Sequence, residues 1–291
     1  MRPDLVIAGW AIPTILQFGS EAQIERFVAP TLRGEIVWCQ LFSEPGAGSD
    51  LAALRTKAER VDGGWRLTGQ KVWTSVAQRA DWGICLARTN PGAPKHKGIT
   101  YFLVDMKNST GLDVRPLREI TGEALFNEVF LDDVFVPDER VVGEIDNGWT
   151  LARATLANER VAMGGKSSIG EDVEHLVALA AKSGNGDALV RDHLGAIVAQ
   201  GVAASLLDVR STLRQLDGRD PGPESSVRKL VGVRHRQHVA ETALDLLGVA
   251  GAEQSKELWD FLQTRCLTIA GGTTQVLLSL AAERLLGLPR G

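Results

Sequence analysis

The sequence predicts an α+β chain in three parts: partial N-terminal helices, a central antiparallel β-barrel or sandwich domain, and a C-terminal antiparallel helix bundle. Three observations carry this. Between about residues 36 and 145 the chain breaks into short apolar runs, "IVWCQLF", "GWRLTGQKVW", "WGICLART", "GITYFLVD" and "NEVFLDDVFV", separated by Gly, Pro, Asn and Asp turns. No helical stretch lies between those runs, which favours antiparallel strands over a parallel α/β sheet. After residue 145 the apolar residues recur at helical spacing, first Ile169, Val173, Leu176, Val177 and Ala180, then Val190, Leu194, Ile197, Val198 and Gly201. The expected domains are 1–35, a remnant of an N-terminal helical domain; 36–145, the β domain; and 146–291, the bundle.

In chain order, "GSEAQIERFVAPTLRGE" offers Ser20 as a helix N-cap with Gln23 three residues on, followed by an apolar face of Ile24, Phe27 and Val28. "VDGGW" at 61–65 is a hairpin signal. "DGRDPGPESS" at 217–226 interrupts the helices as a surface connection. Helices follow at about 224–248, 255–268 and 274–286, the last stopped by Gly287 and Pro289.

Composition narrows the function classes. Among 291 residues, 44% are hydrophobic and 23% charged, ordinary for a globular protein long enough to bury a sizeable core. Thirty-two Lys and Arg against 36 Asp and Glu give a net charge of −4, which argues against a general nucleic-acid binder. Cys39, Cys85 and Cys266 are odd in number and far apart, and read as buried, reduced thiols in a cytoplasmic protein. The N-terminus does not resemble a secretory signal, and no apolar run approaches the length of a membrane span, so no membrane partner is expected.

Several motifs invite chemistry. "SEPGAGSD" at 43–50 allows close backbone approach to a bulky ligand, with Ser43 and Ser49 as donors; a tight turn explains it equally well. It lacks the third glycine and the βαβ setting of a dinucleotide fingerprint. "GGKSS" at 164–168 mimics the end of a P-loop, but Arg160 stands where the first glycine belongs and no strand precedes it. His235 and His238 are an incomplete metal-ligand pair, and no metal site is expected. In "KVWTS", Trp73 with Thr74 and Ser75 suits a flat polar heteroaromatic ring, although a lone tryptophan is more often a core residue. "LANERVAMGG" sets Glu159 in an apolar run. Its neighbours three and four residues away, Thr155, Leu156, Ala162 and Met163, include no cation. An acid there is costly unless something outside the helix requires it.

Taken together, "WCQLFSEPGAGSDLA", "GWRLTGQKVWTS", "GITYFLVD", "LFNEVFLDDVFVP", "NGW" before the helix carrying Glu159, and the C-terminal "IAGGTTQ" and "AERLLGLPRG" resemble the acyl-CoA dehydrogenase family, in order and over almost all of the chain. The resemblance implies an FAD-dependent enzyme, dimeric or tetrameric, that converts an acyl-CoA to a trans-2-enoyl-CoA and passes electrons to an electron-transfer flavoprotein. A carboxylate removes the α-proton while a β-hydride passes to the flavin. Many members carry that base in the C-terminal loop, where this chain has Gly271. Other members place it on the first bundle helix immediately before an arginine, and Glu159-Arg160 matches that pattern. The resemblance further implies Phe42, Ser43, Trp73, Thr74, Ser75, Thr273 and Gln275 as flavin contacts, and Ser49 and Arg160 as substrate contacts.

Two departures from the family pattern bear on function. The chain starts just before the family's "G(T/S)E-x-Q" helix, so a helical cover over the acyl pocket is either truncated or supplied by something else. The Arg-x-x-Phe-Gly segment that reaches a partner's FAD diphosphate is replaced by "GDALVRDHLGA" at 186–196, with Arg191 as the candidate substitute. Both departures keep open a second expectation, a non-catalytic or half-site subunit of a heteromeric acyl-CoA dehydrogenase. An oxidase is a third.

Overall fold

A computed structural model of the chain describes residues 7–164, 171–182, 187–217, 224–253 and 255–289. The P-loop-like residues 165–168 and most of the 217–226 connection lie outside the described residues. The chain divides into two compact units, Met1–Glu159 and Arg160–Gly291.

The first unit opens with helices α1 (Ala8–Phe18) and α2 (Glu21–Leu32). The capping box read from the sequence is present. Ser20 Oγ accepts from the Gln23 N–H, and Gln23 Oε1 accepts from the Ser20 N–H. Eight strands follow: β1 (Trp38–Leu41), β2 (Lys57–Val61), β3 (Gly64–Ser75), β4 (Trp82–Arg88), β5 (Ile99–Asp105), β6 (Leu112–Leu117), β7 (Phe126–Pro137) and β8 (Val141–Val142). Helix α3 (Gly148–Gly164) comes next. The "VDGGW" signal is a β2–β3 hairpin that turns at Asp62-Gly63, with Gly63 at φ 71°.

The sheet corrects two features of the expected antiparallel barrel or sandwich, the all-antiparallel pairing and the barrel. It is one mixed sheet in the order β6-β7-β3-β2-β4-β5-β8, and it does not close into a barrel. β1 pairs β4 in parallel, as does the end of β2. Parallel neighbours need a long crossover, and the sequence was expected to supply it only with a helix. Here the β2–β3 hairpin and its flanking loops span the crossover instead. The sheet also bends over itself. Trp65 of β3 meets Phe102 of β5 edge-on at 5.9 Å, although those strands are not neighbours. The fold encloses Cys39, Leu41, Cys85 and Val104 against Leu67, Val129, Leu131 and Val134.

Alternate side chains of β4 and β5 point to a second core. Ile84, Leu86, Tyr101 and Leu103 pack with Ala11 and Ile15 of α1, Phe27 of α2 and Leu151 of α3. Both strands are therefore buried on both faces. Burial pushes the Cys85 thiol up to about 11, and pushes that of Cys39 higher, so both stay protonated and inert. Cys266 is only half-buried, contrary to expectation.

The second unit contains α4 (Glu171–Lys182), α5 (Ala188–Leu216), α6 (Glu224–Leu247), α7 (Lys256–Thr264) and α8 (Thr274–Leu285). Val173 and Leu176 of α4, Ile197 of α5, and Val239 and Ala243 of α6 form its core. One expectation changes here. Ala188–Arg214 is long and apolar enough to cross a membrane, with only 17% of its most apolar window buried. Asp192, His193, Gln200 and Asp208 are spaced through it, so it contains no unbroken apolar run of that length.

Helix α3 is seated by its first residue. A Cβ on Gly148 would lie 2.7 Å from the carbonyl carbon of Thr100 and 2.8 Å from the Ile99 oxygen. Gly148→Ala should therefore cost ~1–3 kcal/mol, read as a lower urea midpoint with an unchanged slope.

Candidate functional site

The loop after β1 is held from beneath by a buried ion pair that the sequence did not reveal. Lys71 of β3 is fully buried, and its Nζ donates to Glu44 Oε1 at 2.8 Å, Leu86 O at 2.8 Å and Phe42 O at 3.1 Å. Glu44 also accepts from the backbone N–H groups of Arg55 at 2.6 Å and Thr56 at 2.9 Å. Burial pushes its carboxyl upward, but the Lys71 charge and these hydrogen bonds outweigh it and leave the value below the usual carboxylate range. Phe42 is buried edge-on against Tyr101 at 5.9 Å. Ser43 is half-buried, and its carbonyl accepts from the Val72 N–H at 2.9 Å, which brings the 42–43 pair beside the 73–75 segment. Ser49, further along the loop, is exposed.

The 73–75 segment lies where the β3–β7 register slips between Lys71 and Thr74. Trp73 there has φ 59°, a left-handed conformation that is strained for so bulky a residue. Its indole is 62% exposed, with only an edge contact to Phe126. The bland expectation of a core tryptophan is therefore wrong. Thr74 next to it is fully buried, and among the described residues its Oγ1 has no hydrogen-bond partner. Asn127 Oδ1 is likewise unpartnered, while Asn127 Nδ2 donates to the Thr74 carbonyl at 2.9 Å. Ser75 is half-buried at the strand's end. An exposed aromatic face on strained backbone, next to an unsatisfied hydroxyl, fits a flat, polar heteroaromatic group.

Glu159 is 7% exposed on α3, and it does have a partner: Gln40 Nε2 of β1 donates to its Oε2 at 3.3 Å. The Trp10 indole N–H of α1 donates to Gln40 Oε1 at 2.5 Å. An indole can only donate, so it holds the amide oxygen and leaves the amide NH2 for the carboxylate. One turn before Glu159, the Thr155 hydroxyl bonds Thr14 Oγ1 at 2.8 Å and Tyr101 Oη at 3.2 Å. Those contacts dock α3 on α1 and β5. Residues 10, 40 and 159 share no sequence period, so no spacing signal pointed to this relay.

In the second unit, Arg160 is half-buried. Thr273 caps α8, its hydroxyl accepting from the Val276 N–H at 3.2 Å, and Gln275 is exposed in the first turn. Gly271 and Gly272, just before that cap, have φ of 64° and 100°. A glutamate at position 271 would be strained there. The buried Lys229 ammonium of α6 bonds the Ala270 carbonyl, and the Gly272 carbonyl at 2.6 Å. Lys229 in its helix and Lys71 in its strand carry no local sign of burial, because a single lysine in either setting is ordinarily solvated. Arg191 is exposed on α5. Among the described residues no cluster of His, Cys, Asp and Glu could hold a metal ion.

Lys71→Met leaves Glu44 buried without its cation and should cost ~3–5 kcal/mol in urea unfolding. The Glu44 contribution is complete above the ordinary glutamate value and is lost as pH falls through its depressed value. Stability against pH should therefore show a shallower acid-side decline in the Lys71→Met protein than in the unaltered one. Gln40→Leu strands the Trp10 donor and removes one hydrogen bond to Glu159, and should cost ~1–3 kcal/mol in the same assay.

Known proteins place this geometry. The profile of the acyl-CoA dehydrogenase middle domain matches residues 39–134, and that of the acyl-CoA dehydrogenase C-terminal domain matches 146–286. Acyl-CoA dehydrogenase FadE34 of Mycobacterium tuberculosis is 61% identical over 289 residues, 99% of this chain but 40% of that protein. The structure of the Tcur3481-Tcur3483 steroid ACAD superposes with a TM-score of 0.91 at 31% identity, over 99% of this chain and 77% of that one. The ChsE4-ChsE5 complex from Mycobacterium tuberculosis superposes with a TM-score of 0.86 at 26% identity, over 99% and 78%. This chain thus spans two-fifths of the length of FadE34. With both profiles matched along one chain and the fold shared, it belongs to the acyl-CoA dehydrogenase family, oxidoreductases that act on CH–CH bonds.

Proposed function

We infer that the chain is an FAD-dependent acyl-CoA dehydrogenase that forms a trans-2-enoyl-CoA, with Glu159 as the base. The observation that carries this reading is Glu159 itself, an acid 7% exposed whose named donor is the neutral amide of Gln40. Gly271, where many members of the family carry the base, supports it from the other side.

The α-proton of a thioester is too weakly acidic for a freely hydrated carboxylate to remove readily, so burial favours the transfer. The Gln40 amide steadies the carboxylate without cancelling its charge, and the Trp10–Gln40 bond keeps that amide from turning its oxygen toward the acid. The docking of Thr155 against Thr14 and Tyr101 keeps the helix from rotating the base away. A bound flavin supplies a two-electron acceptor for the β-hydride. Phe42, Ser43, Trp73, Thr74 and Ser75 would hold it on the first unit. The resemblance gives Thr273 and Gln275 as further flavin contacts. Ser49 and Arg160 would contact the acyl-CoA. The segments 1–35, 36–145 and 146–291 would be the remnant of an N-terminal helical domain, the β domain and the helix-bundle domain.

An electron-transfer flavoprotein is the proposed acceptor, and the cytoplasm, which suits free buried thiols, the proposed location. The steroid ACAD among the superposed structures favours a bulky polycyclic acyl group. A second reading is a half-site subunit that completes a pocket with a related chain, favoured by the superposition on the ChsE4-ChsE5 complex.

The purified protein should be yellow and bleach anaerobically with an acyl-CoA, while Glu159→Gln should keep the colour and lose bleaching by at least about a thousandfold in rate. Bleaching that survives in Glu159→Gln rules out this base. A colourless protein that turns yellow only with a related chain establishes the second reading.

A further inference from the structure

We propose that the loop between β4 and β5, residues 89–98, recognises the phosphorylated nucleoside end of coenzyme A. Lys97 of the loop and Arg153 of α3 are the phosphate donors, and His96 is the platform for the base. The ligand comes from the acyl-CoA reading above, on which the proposal rests; the end it concerns takes no part in the chemistry.

The loop reads "TNPGAPKHKG" and contains no acid, in a chain whose net charge is −4. Lys95, His96 and Lys97 are all exposed. A short basic run on a surface turn is ordinarily just solvated, but this one is anchored. Arg88, the last residue of β4, is half-buried, and its guanidinium donates to three carbonyls. Two of them, Lys95 at 3.1 Å and Lys97 at 2.8 Å, flank His96. The third, Ala52 at 2.7 Å, lies in the segment that follows Ser49. The Lys95 ammonium pairs with Asp50, also beside Ser49. The basic run is thereby fixed against the glycine-rich loop.

Its other neighbour is α3. The His96 ring meets the half-buried Trp149 indole at 4.9 Å, tilted by 54°. An exposed flat ring backed by an indole is a stacking surface that accepts any base. Arg153 follows Trp149 by one turn on the same side of the helix, and it is exposed. Among the described residues neither Lys97 nor Arg153 has an ion-pair partner. Two free cations beside a supported ring suit an aromatic ligand that carries phosphate.

Length selects coenzyme A among such ligands. Trp149 precedes Glu159 by ten residues, which is ~15 Å along α3. The pantetheine arm has about thirteen bonds between its sulfur and the first phosphorus, and at the extension of a peptide chain it spans ~15 Å. A thioester at Glu159 whose arm follows α3 therefore delivers its phosphates to the turn of Trp149 and Arg153.

The test measures binding to the whole chain and needs no turnover. In isothermal titration, adenosine 3′,5′-bisphosphate should bind the unaltered protein, and Lys97→Ala/Arg153→Ala should weaken it at least about tenfold. Both side chains are exposed, so the variant should keep its thermal midpoint. Coenzyme A should bind at least about tenfold tighter than pantetheine, a ratio that falls toward one in the double variant and is kept in Glu159→Gln. Bisphosphate binding that is absent, or undiminished in the double variant, overturns the site. Equal affinity of the unaltered protein for coenzyme A and pantetheine does so too. Inorganic pyrophosphate that binds as tightly as the bisphosphate overturns the role of His96 and the base. Bleaching that survives in Glu159→Gln, with the bisphosphate results as expected, removes the base and leaves this site standing.

Discussion

The first unit hangs on the Lys71 ammonium. Its three N–H groups meet three buried acceptors on three different segments: the Phe42 carbonyl after β1, the Glu44 carboxylate in the loop, and the Leu86 carbonyl of β4. A buried ammonium missing any of these would cost more than the loop could gain by moving. Glu44 in turn holds the backbone at Arg55 and Thr56. The glycine-rich loop is thus rigid at its root, and Ser43 is presented beside the strand that carries Trp73.

A second set of buried polar contacts does for α3 what Lys71 does for the loop. Thr155 meets Thr14 and Tyr101, and Gly148 lets the helix start against the β5 backbone. Glu159, one turn beyond Thr155, inherits that placement. The Gln40 amide donates to it, whereas the acid of the loop is paired with a lysine. Glu44 is thereby a neutralised structural acid.

The strain at Trp73 belongs to the same picture. Register slippage in β3–β7 gives up two ladder positions and forces a left-handed tryptophan. The surrounding sheet is well paired and can hold that conformation. The cost is accepted where an aromatic face is turned to solvent, which a core role would not require.

Much of this was legible in the residues. Ser20 and Gln23 announced the capped helix, Asp62-Gly63 the hairpin, and the period of Val173, Leu176 and Ile197 the bundle core, because each depends on neighbours within a few positions. The ordered motifs named the family, and the uncharged surroundings of Glu159 on its own helix singled it out. What the sequence by itself determined was therefore local: caps, turns and faces. Tertiary structure alone decided that β1 runs parallel to β4, that the sheet bends without closing, that Lys71 is buried, and that Trp10 and Gln40 reach Glu159. Each of these joins residues fifteen or more positions apart. Their energies come from contacts that exist only once the chain has folded.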